Sequence, residues 1–251
     1  MILPNPKDAV HKAWLYRVLT EFCDNQIISK SLYFKGGTCA AMQGLLDRFS
    51  VDLDFDYVAP REDLPVVRNE MEKIFARLSM NIKDKSNKVP QYFLKYPVET
   101  KDQRNTIKID VTMPPPEANT YESTRLTEID RIYHCQTIET MFANKLVAMI
   151  ERYEKNESIA GRDLYDIHYF FLAGYAYNAD VIKERRAISE LNIFLTELIS
   201  FIESHITGTV ITQDLNMLLS YDKFKSIRRI LKQETLMFLR DESKRCVRKA
   251  S

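Results

Sequence analysis

The sequence predicts an α+β fold whose second half is all helix. Three observations carry that expectation. Two stretches, Phe49 to Val58 and Thr106 to Thr112, alternate apolar and polar residues with a period of two, as half-buried strands do. Apolar stripes of helical period precede and separate them. From about Thr137 onward only helical periodicity continues. Mixed elements followed by helices suit a layered core with an all-α region appended to it.

The elements follow in order. A first helix is expected from Pro6 to Asp24, with Ala9, Ala13, Leu15, Tyr16, Leu19 and Phe22 at helical spacing. Ser31 to Phe34 reads as a short strand ended by Gly36 and Gly37, and Thr38 as the cap of a short helix. In the next strand Val51, Leu53 and Phe55 point one way, and Ser50, Asp52, Asp54 and Asp56 the other. Pro60 to Ser79 is a helix with Val66, Val67, Met71, Ile74, Phe75 and Leu78 as its apolar stripe. A strand-like region from Tyr92 to Thr112 ends in the alternation of Ile107, Ile109 and Val111 against Lys108 and Asp110. Met113 and three prolines stop it, since proline cannot continue a central strand. Thr137 to Thr140 starts a helix buried through Ile138, Met141, Phe142, Leu146, Met149 and Ile150. Further helices are expected at Arg162–Leu172, Asp180–Thr207 and Asp222–Lys249. The domain boundary falls between Pro116 and Gln136, which divides the chain into 1–125 and 126–251.

Composition narrows the possibilities. The chain has 251 residues, ample for a buried core, with 45% hydrophobic and 28% charged residues, which excludes disorder. Thirty-six Lys and Arg balance 35 Asp and Glu, so affinity for nucleic acid or acidic membranes needs a local patch. Cys23, Cys39, Cys135 and Cys246 are scattered without a CxxC pair, and the four histidines lack HxxxH spacing. A zinc site or disulfide framework is therefore not expected, and reduced thiols in a cytoplasmic protein are. No stretch approaches the roughly 18 apolar residues of a membrane span.

Chemistry concentrates in one region. Asp52 and Asp54, two residues apart on the expected strand, place two carboxylates on one face. Such a pair repels itself unless a cation sits between, and hard oxygens suit Mg2+ or Mn2+ shared with substrate phosphates. A wet edge-strand face would show the same spacing. Upstream, a strand leading into Gly36–Gly37–Thr38 and a helix offers backbone N–H groups to phosphate, with no Cβ at the glycines to block its approach. Phosphate cradle and paired acids in direct succession form a more specific combination than either alone. Asp110 adds a third carboxylate, able to hold a second metal or take a proton from an attacking hydroxyl. Lys145 interrupts an apolar helix stripe, so its ammonium either snorkels outward or meets an anion. Asp163 and Asp166 sit in the first turn of the following helix, where acids are favoured in any case.

The stretch FKGGTCAAMQGLLDRFSVDLDF resembles the Gly-Gly-Thr to RFSxDLDF motif of the AbiEii/AbiGii-type toxin nucleotidyltransferases, part of the DNA-polymerase-β-like nucleotidyltransferase superfamily. Lys145 in FANKLVAMIERY and Arg162–Asp163–Leu164–Tyr165–Asp166 resemble the family's later lysine and (R/K)DxxD motif, so the likeness covers residues 30–172. Cys39 departs from the leucine usual after the threonine. The resemblance implies a minimal nucleotidyltransferase core, a mixed sheet with helices on one side, followed by a helical domain. It implies that Gly36, Gly37, Thr38 and Lys145 bind a nucleoside triphosphate, that Asp52, Asp54 and Asp110 hold Mg2+ or Mn2+, and that Asp163 orients Lys145 or the acceptor. Lys35, Arg48, Ser50 and Asp166 are secondary candidates. A toxin of this family would pass a nucleotide to an acceptor such as the 3′ end of tRNA, and would have a cognate antitoxin of DNA-binding type.

Between Asp222 and Lys249 ten basic residues face four acidic ones. This is either a solvated helix face or a track for RNA phosphates. Two other readings stay open: a nucleotidyltransferase acting on a small molecule or a protein, and a non-catalytic nucleotide-binding interaction protein.

Overall fold

The computed structural model describes residues 1–98 and 104–250. Its elements are, in order, α1 (Asp8–Asp24), α2 (Gln26–Ser31), β1 (Leu32–Lys35), α3 (Gly36–Met42), β2 (Leu53–Tyr57), a 3-10 turn (Arg61–Asp63), α4 (Leu64–Arg77), β3 (Asn81–Lys85), β4 (Tyr92–Lys95), β5 (Thr106–Thr112), β6 (Tyr121–Leu126) and β7 (Arg131–Gln136). Helices then follow: α5 (Ile138–Asn156), α6 (Gly161–Leu172), α7 (Ala179–Arg186), α8 (Leu191–His205), α9 (Gly208–Leu215), α10 (Tyr221–Ile227) and α11 (Leu231–Ala250).

Two compact units result, one of residues 1–115 and 120–136, the other of 116–119 and 137–251. A division at 125/126 cuts through β6. Its antiparallel pairing with β7, from Tyr121 opposite Gln136 to Leu126 opposite Arg131, keeps both strands in the first unit. Neither strand was expected, because YESTRL is an exposed edge strand with a single buried residue, and β7 buries mainly Tyr133, Cys135 and Gln136. The β3 edge strand, NIKDK, is exposed at every position and gives no apolar period to read.

The first unit is a mixed seven-stranded sheet ordered β3-β4-β5-β2-β1-β7-β6. β1 runs antiparallel to β2 and parallel to β7, and β2 runs parallel to β5. Helices α1 and α4 pack on one face, where Phe22 meets Phe55 and Phe75, and Phe75 meets Tyr92, with ring centroids 5.1–6.2 Å apart. Alternation along β1, β4 and β5 sends Leu32, Phe34, Leu94, Ile107 and Ile109 into this core. The opposite face receives Tyr33, Lys35, Asp54, Asp56, Lys108 and Asp110.

Several local expectations change. Ser31 closes helix α2 instead of opening the strand. Asn25 accounts for this: its side chain accepts the Ile27 and Ile28 amides at 3.0 and 3.1 Å, starting a new helix where α1 stops. Phe49 to Asp52 lie before β2, which begins only at Leu53. Val66, placed in the apolar stripe of α4, is exposed, while Val67, Met71, Ile74 and Phe75 are buried. Residues 99–103 of the strand-like region lie outside the described residues, and β4 and β5 flank them. Among the described residues no disulfide joins any of the four cysteines.

The second unit is helical. Phe142 of α5 packs against Phe170 and Phe171 of α6, and Phe171 stacks on Phe238 of α11 at 5.6 Å. The helix expected over Asp180–Thr207 divides at Ala187, whose left-handed backbone (φ 51°) terminates α7. Among the described residues no helix is long and apolar enough to cross a membrane.

Candidate active site

The site of the first unit grows from the bend after β1. Lys35 ends that strand in extended conformation, and Gly36 turns with φ 79° directly into α3. That left-handed conformation favours glycine, and so does the space available. A Cβ on Gly36 would overlap the Asp54 carboxylate and sit 2.9 Å from Asp54 Cβ. On Gly37 it would lie 2.6 Å from an Arg48 guanidinium nitrogen and 3.1 Å from Ser50 Oγ. The double glycine therefore lets Asp54 and the Arg48–Ser50 segment close onto the bend.

Thr38 is not the helix cap. It lies inside α3, fully buried, and its hydroxyl donates to the Asp52 carbonyl. One residue earlier, the Val51 carbonyl meets His11 Nε2 at 2.8 Å. A carbonyl only accepts, so Nε2 carries the proton there. Burial lowers the His11 pKa to about 4 and keeps the ring neutral. Two side chains from separate helices thus fix the backbone that leads into β2. Arg48, also buried, donates to the Phe49 carbonyl at 2.9 Å, and Ser50 is buried beside it.

Strand register arranges the carboxylates. Asp54 pairs with Lys35 across the antiparallel side and with Asp110 across the parallel side, so all three belong to one face. Asp52 precedes the strand by one residue and is half-buried, as is Asp54. Asp110 spends its carboxylate on neighbours: Lys108 Nζ donates to Oδ2 at 2.7 Å and Gln91 Nε2 to Oδ1 at 2.8 Å. Among the described residues no three His, Cys, Asp or Glu groups are gathered closely enough to hold a metal ion. The donor set still fits Mg2+, which needs only one or two carboxylates beside phosphate and water oxygens, and Asp54 and Asp110 supply hard oxygens in register.

Asp56 departs from the outward, wet position that alternation suggested. It is fully buried, and its carboxylate accepts from Lys35 Nζ at 2.6 Å, Tyr121 Oη at 2.8 Å and Gln136 Nε2 at 2.5 Å. Lys35 also donates to Thr112 Oγ1 at 2.5 Å. Sequence reasoning missed Gln136, Tyr121 and His11, because each acts through strand or helix packing distant in the chain. The third aspartate of DLDFD was the one available signal.

In the second unit the Thr137 side chain caps α5 and Gly161 opens α6. A Cβ on Gly161 would press to 2.8 Å on the Val210 carbonyl of α9. Lys145 of α5 reaches Asp163 Oδ1 at 2.7 Å and Asp166 Oδ2 at 2.9 Å, both acids fully buried, and Arg152 adds 3.1 Å to Asp163 Oδ2. Burial alone would raise the Asp163 carboxyl, but the charges of Lys145 and Arg152 outweigh it and hold it well below its ordinary value. The lysine and the two acids expected to accompany it are thus one cluster. The basic C-terminal stretch is partly committed within its own unit. Lys232 bonds the Glu203 and Ile206 carbonyls at 2.9 Å, and Arg240 pairs with Glu203 at 2.5 Å. The side chain of Lys249 lies outside the described residues.

The family model described as "Nucleotidyl transferase AbiEii toxin, Type IV TA system" matches residues 17–238. The crystal structure of JHP933 from Helicobacter pylori superposes with a TM-score of 0.59 at 18% identity, covering 99% of this chain and 97% of that one. An antigenic nucleotidyltransferase-like protein from Paracoccidioides brasiliensis gives 0.47 at 12% identity, over 84% and 94%. At 18% identity the likeness to JHP933 speaks for the fold alone. Among curated proteins no significant match is found.

Proposed function

The chain belongs to the AbiEii nucleotidyl transferase toxin family of type IV toxin–antitoxin systems, and from that premise we propose a divalent-metal-dependent transfer of a nucleoside monophosphate to the 3′ end of tRNA in the cytoplasm. The family makes it a nucleotidyltransferase that takes a nucleoside triphosphate and has an antitoxin partner. The observation that carries the site assignment is the closure of the Gly36 bend on Asp54, with Asp110 in register beside it.

In this reading Gly36, Gly37 and Thr38 cradle the triphosphate, with Lys35, Arg48 and Ser50 supporting the bend. Asp52 and Asp54 would hold Mg2+ or Mn2+, joined by Asp110. Such an ion, when bound, neutralises phosphate charge. The acceptor hydroxyl oxygen forms a bond to the α-phosphorus, the bond to the bridging oxygen breaks, and pyrophosphate departs with its electron pair. Asp110 receives the hydroxyl proton. Lys145, held by Asp163 and Asp166 in the second unit, is the residue that the family resemblance assigns to the nucleotide's phosphates. Positioning and electrostatics do most of the catalysis.

Labelled NTP incubated with separate RNA, protein and metabolite pools tests the reading. Label should enter tRNA and be lost with the Asp52→Ala/Asp54→Ala variant, and expression of that variant should no longer arrest growth. Label confined to protein or metabolites would refute the acceptor, and retained transfer by the double variant would refute the metal assignment. Mass analysis of tRNA after expression reads the added nucleotides directly. A DNA-binding antitoxin is the expected partner.

A further inference from the structure

Asp110 stands in the right place in an unavailable state. Register sets it beside Asp54, yet both of its oxygens already receive hydrogen bonds, from Gln91 and from Lys108. A carboxylate paired with an ammonium at 2.7 Å is a poorer base and a poorer metal ligand than a free one, because its charge is already balanced. Lys108 is only part-covered, with 31% of its side chain exposed, and its ammonium also lies 5.8 Å from the centre of the exposed Phe93 ring. Asp110 is likewise part-exposed, at 41% of its side chain, so solvent screens the pair, and a competing anion of higher charge can take the lysine.

We infer that Lys108 is a phosphate-released lock on Asp110: a phosphate group of the substrate draws the ammonium away, and the freed Oδ2 completes the acidic site. Lys108 is thus a positioning residue, acting through Asp110. The inference rests on the reading of Asp110 as the third acid and adds how that acid is kept idle until substrate arrives. The phosphate has two sources, the triphosphate or the backbone of a nucleic-acid acceptor.

Two double-mutant cycles on the full-length protein test the lock. In the first, Mn2+ affinity is read by electron paramagnetic resonance without nucleotide. Lys108→Met should tighten binding at least threefold, and should change it less than twofold in the Asp110→Asn background. Equal gains in both backgrounds would mean simple removal of charge and would overturn the lock. Lys108→Gln carries the same expectation if the methionine variant does not fold, and Lys108→Arg should behave as the parent. In the second, binding of a non-hydrolysable NTP analogue and, separately, of a ten-nucleotide single-stranded RNA is measured in EDTA. Asp110→Asn should tighten one of them severalfold with Lys108 present and not in the Lys108→Met background. The ligand that shows this coupling is the source of the phosphate, and additive effects for both overturn the inference. If every acceptor pool stays unlabelled while the cycles show coupling, the transfer reading fails and the lock stands. If label is incorporated and the cycles are additive, the lock fails alone.

Discussion

Lys35 on β1 and Asp56 on β2 form an ion pair of 2.6 Å in which the carboxylate is wholly buried, one residue before the glycine bend. Removing one partner strands a charge in the sheet, at a cost of about 3–5 kcal/mol. Asp56→Ala should therefore unfold at markedly lower urea concentration than the parent. Asp56→Leu combined with Lys35→Met should regain much of that stability. Equal stability for the single and the double variant would show that the pair is not what holds this end of β1.

Gly36 and Gly44 share a left-handed backbone, at φ 79° and 75°, but only Gly36 faces a neighbour. Alanine at either position carries backbone strain of about 1–3 kcal/mol. Gly36→Ala should also displace Asp54 and abolish incorporation, whereas Gly44→Ala, with open space around it, should leave incorporation near the parental rate. Incorporation assays alongside urea melts separate the two effects.

His11 makes stability fall in mild acid. Its folded pKa of about 4 lies below its ordinary 6.5, so between those values the unfolded chain binds the extra proton and the folded one does not. Stability is lost as pH drops through that window, by up to about 3 kcal/mol. His11→Gln can still donate to the Val51 carbonyl and does not titrate. Urea melts from pH 7 to pH 4 should show a shallower decline for the variant, and parallel declines would remove His11 from the account.

The Asp163 carboxyl has the opposite sign. Depressed below 3.8 in the folded state, it contributes stability in full above pH 4 to 5 and loses it as pH falls towards its folded value. Lys145→Met leaves Asp163 with Arg152 and removes an ion pair from Asp166, so it should cost about 3–5 kcal/mol at neutral pH. Acid titrations followed by circular dichroism should show the variant unfolding at higher pH than the parent.

The sequence by itself determined the residues to which the proposed chemistry is assigned and what kind of element holds most of them. Gly-Gly-Thr, the DxD pair, the alternation around Asp110 and the helical stripe around Lys145 are local patterns, and local patterns are legible because strand and helix periods repeat within a few residues. Thr38 and Asp56 were misplaced for the complementary reason: each makes its decisive contact with a residue 14 or more positions away, the Asp52 carbonyl for one and Tyr121 and Gln136 for the other. Strands β3 and β6 were invisible because edge strands bury too little to leave an apolar period. Only the tertiary structure set Asp110 beside Asp54 and handed its oxygens to Gln91 and Lys108, since register between strands more than fifty residues apart is decided by packing, not by any pattern inside either strand.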